Sequence, residues 1–164
     1  MSTNFTLIIE TIKGETQNKH YVNDDGIDVH AWSWGMDQSG TTHEGPGAGS
    51  GRVSVHDITF TKFVDLSTPD FIKACATGRH IPKATLHVRK ADGDESMEYL
   101  TITMNTVLVS SYDTGGASDG LDRVQETIKL NFRSFDVKYV QQSESGAASG
   151  ENEVAFDIAA NELV

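Results

Sequence analysis

Few residues in this chain stand at spacings that chemistry needs. Gly116-Ala117-Ser118-Asp119-Gly120 has the Gly-x-Ser-x-Gly pattern that presents a serine nucleophile. That chemistry needs a strand running into a strained elbow and a helix leaving it. Here the residues after Gly120 alternate apolar and polar, as a strand does. Thr114–Asp122 therefore reads as a hairpin loop whose Gly and Asp residues meet turn geometry, and no catalytic residue is assigned. Gly45, Gly47, Gly49 and Gly51 suggest a phosphate cradle, but Ser50 and Arg52 stand where the dinucleotide pattern needs its third glycine. No Gly-Lys-Ser/Thr occurs, so there is no P-loop and no cofactor is expected. The six histidines (His20, His30, His43, His56, His80 and His87) show no helical i, i+4 pair and no partner cysteine. Asp24/Asp25 and Asp92/Asp94/Glu95 lack the calcium-loop pattern. No metal site is expected, and a solvated hairpin accounts for the acids.

The elements that must position these residues belong to one domain spanning 1–164. The chain carries 24 acidic against 13 Lys and Arg residues, a net charge of −11. That balance argues against nucleic acid and anionic lipid as partners, since both need a basic face. A single cysteine, Cys75, excludes an internal disulfide. The first ten residues lack a basic stretch and a long apolar run, so no cleaved signal is expected and the chain is expected to fold in the cytoplasm.

Period-two alternation dominates, which predicts a mainly β protein. Phe5–Ile9 reads as a first strand, Lys13–Gly26 as a turn-like segment, and Ile27–Gln38 as a second strand. Three later segments change phase. The apolar face moves from Val53 and Val55 to Ile58 and Phe60 in Arg52–Val64. It moves from Leu100, Ile102 and Met104 to Val107 and Val109 in Met97–Tyr112. In Arg123–Val140 it moves from Val124, Ile128, Leu130 and Phe132 to Phe135, Val137 and Tyr139. Such a change flips every later side chain to the other face, so each strand must bulge or bend there. Bent strands passing between sheets predict an antiparallel, barrel-like fold of two sheets. Ile81–Lys90 adds a strand with Ala84, Leu86 and Val88 inside. One helix is expected over about Thr68–Thr77, with Thr68 as N-cap, Pro69 first, Phe71, Ile72, Ala74 and Cys75 as its apolar face, and Gly78 as its stop. Gln141–Glu153 reads as a linker before a short last strand, Val154–Ala159.

Two patterns point to surfaces. If Trp32 and Trp34 face the core, then Ala31, Ser33 and Gly35 form a small, flat opposite face. Residues 71–91 hold Lys73, Arg79, Lys83, Arg89 and Lys90 with no acid, a net +5, while 141–164 hold five acids with no base, a net −5. Complementary segments on one chain favour head-to-tail contact between copies.

Lys13-Gly14-Glu15 to His20, Ile27-Asp28-Val29, Ala31-Trp32-Ser33-Trp34-Gly35-Met36, Phe60-Thr61-Lys62, Asp65-Leu66-Ser67-Thr68-Pro69, Ala74-Cys75-Ala76-Thr77-Gly78, Val107–Ser111 and Asp122–Ile128 together are similar to the haemolysin-coregulated protein (Hcp) family. These are the inner-tube subunits of the bacterial type VI secretion system. Ala155-Phe156-Asp157-Ile158 departs from the family's Gly-Trp-x-Ile. The resemblance implies a barrel-like fold of two sheets with one helix on its side. It also implies homohexameric rings stacked into a tube, a surrounding contractile sheath, a spike protein trimer as cap, and effector proteins in the lumen. The family's long loop maps onto Thr41, Thr42, His43, Glu44, Gly45, Pro46, Gly47, Ala48, Gly49, Ser50 and Gly51, expected to reach a neighbouring subunit or ring. Ala31, Ser33 and Gly35 become candidates to line the lumen, and export needs no cleaved signal. A ring that carries or chaperones small proteins, and a serine hydrolase at Ser118, are the rival readings.

Overall fold

The computed structural model describes residues 3–40, 51–90, 97–120, 123–142 and 148–164. Its elements are β1 (Thr3–Ile9), β2 (Ile27–Val29), β3 (Ala31–Ser33), β4 (Met36–Asp37), β5 (Ser54–Val55), β6 (Ile58–Phe63), α1 (Thr68–Thr77), β7 (His80–Lys90), β8 (Glu98–Gly115), β9 (Gln125–Gln142), β10 (Ala148–Asp157) and β11 (Glu162–Leu163). All pairings are antiparallel.

A nine-stranded sheet runs β11-β10-β9-β8-β7-β1-β2, and β4–β5 form a separate two-stranded ribbon. β9 is the organising strand. One of its edges pairs with β8 along nearly its whole length, while the other takes β6 on Gln125–Leu130 and β10 on Ser134–Gln142. β3 pairs with β6, and only His30 separates β3 from β2, which pairs with β1. The His30 N–H donates to the Thr61 carbonyl at 3.0 Å. The sheet thus wraps back on itself in the expected barrel-like manner. Chain continuity at His30 joins its two ends, so the barrel is not closed by a complete ladder. The expected second sheet is the ribbon alone.

The wrap has a local cause. Ile81, Val107 and Phe132 lie opposite one another across β7, β8 and β9, and all three are buried. Ala84, Met104 and Phe135 form the next buried row, three residues away instead of two. Between the rows lie Pro82-Lys83, Asn105-Thr106 and Arg133-Ser134. Thr106 takes a left-handed φ of 53°. The phase change therefore falls at one level in three paired strands and creases the sheet, so that both rows point into one core. The shifts read within Met97–Tyr112 and Arg123–Val140 are two parts of this crease. The third part, in β7, escapes the pattern because Ile81 is its only apolar residue before the crease. In Arg52–Val64 the phase change is a break at His56-Asp57, which sends β5 to the ribbon and β6 to the main sheet.

Several expectations need correction. Ile27–Gln38 is three short strands, interrupted at His30 and Trp34-Gly35. Gln141–Glu153 is not a plain linker: Gln141 and Gln142 end β9, and Ala148–Glu153 begin β10. Val124 and Tyr139 are exposed, because they lie at the ends of β9 beyond the core. The helix N-cap is Ser67, because the Thr68 side chain is occupied elsewhere. Phe71 and Ala74 are buried, but Ile72 points outward. Gly78 ends the helix with φ 64°, as expected.

The exposed Thr106 side chain holds a backbone conformation that costs a β-branched residue about 1–2 kcal/mol. Thr106→Gly removes that strain against a smaller entropic loss, and it should stabilise the fold by roughly 0.5–1 kcal/mol. A urea midpoint that falls or stays unchanged would show that the crease does not store strain at this residue.

Candidate functional site

The Trp32/Trp34 alternation builds a wall. Trp32 sits edge-on to Phe5 at 6.3 Å, and Trp34 packs on Phe135 at 5.0 Å and Phe132 at 6.0 Å. The Trp34 indole N–H donates to the His56 carbonyl at 2.9 Å. With both indoles turned inward, Ala31 and Ser33 are exposed on the opposite face. Strand pairing extends that face: Ala31, Thr61, Thr127 and Asp113 form one row, and Ser33, Thr59, Lys129 and Ser111 the next. Gly35 is half-buried at its margin, and its carbonyl accepts from the His56 N–H at 3.0 Å. A recess of about 510 Å³ opens there, lined by Ser33, Trp34, Gly35, His56, Asp57, Thr59 and Lys129. His56 Nε2 pairs with Asp37 at 2.7 Å, and Asp57 accepts from Asn131 at 2.8 Å. Apart from Lys129, the two rows are short side chains, which leave the wall smooth and polar.

Thr41, Thr42, His43, Glu44, Gly45, Pro46, Gly47, Ala48, Gly49 and Ser50 lie outside the described residues. Gly51 is described. A Cβ there would stand 2.1 Å from Ser39 Oγ, so the two ends of the loop approach closely. The β4–β5 ribbon holds these ends together through Met36 opposite Val55 and Asp37 opposite Ser54. Beside it runs an apolar groove of about 470 Å³ that includes Met36, Val53, Phe135, Val154 and Phe156.

Ser118 lies in an exposed turn closed by the Gly120 N–H on the Ala117 carbonyl at 3.1 Å. β8 precedes it and β9 follows it, so the strand–elbow–helix arrangement of a hydrolase is missing. Among the described residues, no three His, Cys, Asp or Glu side chains gather at metal-binding distance.

Residues 6–139 match the family described as "Type VI secretion system effector, Hcp". The chain belongs to the Hcp family. It is 47% identical over 150 residues to protein hcp1 of Pseudomonas aeruginosa, covering 92% of this chain and 91% of that one. Hcp1 from Salmonella typhimurium is 32% identical, with a TM-score of 0.81 over 100% of both chains. A type VI secretion system effector from Yersinia pestis is 27% identical, with a TM-score of 0.73 over 93% of this chain and 98% of that one.

The segments that carry the Hcp resemblance meet in a buried ion network that sequence reading did not assemble. Lys62 on β6 is fully buried. Its ammonium donates to Glu126 on β9, to Asp65 Oδ1 at 2.9 Å and to the Phe63 carbonyl at 3.0 Å, so all three hydrogens are used. Thr68 Oγ1, at the start of α1, donates to Glu126 at 2.9 Å, and Tyr112 on β8 donates at 2.6 Å. Burial and then Glu126 itself push the Tyr112 phenol up to about 12, so it stays a donor. The network ties α1, β6, β8 and β9 at one point. The only signal in the sequence was a lone Lys62 and a lone Glu126 at inward-facing positions of two strands.

A second cluster holds the Lys13–Gly26 segment against the outer face of β7. Buried Tyr21 stacks near His87 at 5.0 Å and lies under Arg89 at 5.6 Å. Its hydroxyl donates to Glu98 at 3.2 Å, and Thr101 donates to Glu98 at 2.6 Å. Burial alone would raise the Glu98 carboxyl. Hydrogen bonds from His87, Thr101 and Tyr21, with the charge of His87, outweigh that and hold it below its ordinary value.

Lys62→Met leaves Glu126 buried without its cation and should cost about 3–5 kcal/mol in urea unfolding. Lys62→Met with Glu126→Leu should recover at least half of that loss. A single variant within ~1 kcal/mol of wild type would show that water reaches the pair. Glu98 titrates lower folded than unfolded, so its stabilisation is whole above the unfolded value near 4.5 and is lost as pH falls through the folded one. Glu98→Gln should therefore melt lower than wild type at pH 7, and the gap should close in acid. A gap independent of pH would remove the charge from the account.

Proposed function

We propose that this chain is a structural subunit of a type VI secretion tube. Six copies form a ring, rings stack inside a contractile sheath under a spike trimer, and effectors ride in the lumen. The observation that carries the reading is the family match, which spans residues 6–139 and is matched by likeness to Hcp structures over the whole chain. The geometry supports it. The chain presents broad polar walls and ribbon-mounted loop ends. Among the described residues no helix is long and apolar enough to cross a membrane. In this reading the subunit leaves the cell through the machine itself.

In this reading the face of Ala31, Ser33 and Gly35 lines the lumen. Short polar side chains make weak, non-specific contacts that hold cargo briefly and release it. The loop from Thr41 to Gly51 reaches a neighbouring subunit or ring. The basic 71–91 and acidic 141–164 segments offset the repulsion between copies that each carry a net −11.

Negative-stain microscopy of the purified protein should show six-fold rings with open centres; compact monomers at high concentration would overturn the reading. Ser33→Arg should leave rings intact and reduce cargo retention and export. Unchanged retention and export would remove Ser33 from the lumen wall. Raising salt should weaken ring stacking, because exposed charges are screened beyond ~10 Å at 0.1 M. Stacking that holds or strengthens with salt would assign it to apolar contacts instead.

A further inference from the structure

A recess of about 610 Å³ lies on the outer face of the sheet, where the Lys13–Gly26 segment crosses β1 and β2. Strand alternation builds its floor. Phe5 and Leu7 of β1 pack into the core, so Asn4 and Thr6 point out. Thr6 is nonetheless buried, because Gly26 of the crossing segment lies close over it. Register sets Asn4 opposite Arg89 of β7. Val29, paired with Phe5, is buried, so His30 after it turns outward beside them. The segment itself makes the facing wall. Asn18 Oδ1 accepts from the His20 N–H at 3.0 Å, and the Asn18 carbonyl accepts from Tyr21 and Val22 at 3.0 and 2.9 Å. That turn, with Tyr21 buried below it, carries Lys19 and His20 to the recess.

Charge sets this recess apart. Lys19, Arg89, His20 and His30 line it against one acid, Asp28, which already accepts from Thr16 at 2.6 Å. A neighbouring recess of about 390 Å³ sets Lys13, Lys83 and His87 against Glu10, Asp24 and Asp25. The Ser33 recess balances Lys129 and His56 with Asp57. Beside Phe63, Arg123 and His30 meet three acids, and the apolar groove by the ribbon has no charged residue in its lining. In a chain of net charge −11, a concave surface whose bases outnumber its acids reverses the sign locally, and concavity focuses that field.

The basic groups are also held in place. Arg89 Nε donates to the Tyr21 hydroxyl at 3.3 Å, its guanidinium lies 5.6 Å over the Tyr21 ring, and Glu98 stands 4.0 Å away, outside the recess. The His30 ring stacks on Phe63 at 4.7 Å. A planar guanidinium fixed in advance loses little freedom when an anion arrives. The volume falls within the ~300–1,000 Å³ of small-molecule sites. We propose that this recess binds a small molecule through an oxyanion, a phosphate or a carboxylate, held by Arg89 and Lys19 with the Asn4 amide as a neutral donor. An oxyanion alone fills a small part of the space, so the ligand carries a body besides its charged group. The site is independent of the tube reading, since one chain supplies every residue.

The test is titration calorimetry on the full chain at fixed ionic strength, with phenyl phosphate, benzoate and benzylammonium as probes. At least one of the two anions should bind once per chain, roughly tenfold or more tighter than benzylammonium, and the tighter anion identifies the charged group. Asn4→Asp sets a carboxylate opposite Arg89, and Lys19→Glu reverses a wall charge. Each should weaken anion binding by roughly tenfold or more. Both side chains are exposed, so melts should stay near wild type. Lys138→Gln, which removes a cation away from the recess, should leave binding unchanged. Anions that bind no better than benzylammonium would overturn the site. So would anion binding that survives both Asn4→Asp and Lys19→Glu intact. A labelled tetraglutamate peptide that binds where neither small anion does would overturn the small-molecule assignment and give the surface to an acidic protein partner.

Discussion

The crease across β7, β8 and β9 is the constraint on which the rest of this molecule depends. Two rows of buried side chains, Ile81–Val107–Phe132 and Ala84–Met104–Phe135, stand three residues apart and both face inward. A flat sheet cannot do this, because residues three apart on a strand point to opposite faces. The sheet must turn at that level, and it turns in all three strands because their pairing is in register. From that turn follows the wrap that brings β6 and β3 round to β1 and β2. The same strands then have two usable outer surfaces on either side of the crease.

The buried network at Lys62 and Glu126 acts on a different scale. Charges buried this deeply gain little over apolar replacements of the same shape, but they tolerate few arrangements. Here every donor of Lys62 is used, and among the described residues no buried side-chain polar atom lacks a partner. That makes the network a geometric lock. The end of β6, the start of β9, the middle of β8 and the first turn of α1 are held in one relation.

A protein that works by assembly spreads its function over surfaces. Under the reading proposed above, those surfaces are the Ser33 wall and the mount of the long loop. Neither concentrates perturbed acids and bases as a catalytic cleft does. The strong acidity of the chain works against close packing of copies, so any assembly must place its few basic residues where they count. The five basic residues of 71–91 and the five acids of 141–164 stand in separate segments.

Alternation alone determined the mainly β character, the phase changes of the crease in β8 and β9, and the break within Arg52–Val64, because side-chain period is a local property of the chain; it set Trp32 and Trp34 on one face without saying which face is inward. The Pro69 and Gly78 punctuation did the same for α1. Family membership was legible in short motifs, yet the physical reason for several of them was not. Lys62, Asp65, Thr68 and Glu126 are up to 64 residues apart, and no periodicity relates them. Folding also decided where strands break. His30 and His56-Asp57 carry no breaker residue, and they interrupt strands because neighbours on the two sides belong to different partners. It made paired strand of Gln141-Gln142 and Ala148–Glu153, which composition reads as linker, since β9 offers a free edge there that overrides weak local propensity. And it exposed Ile72 and Tyr139, which pattern alone assigns to a core. Burial depends on what packs against a side chain, and only the tertiary structure supplies or withholds that neighbour.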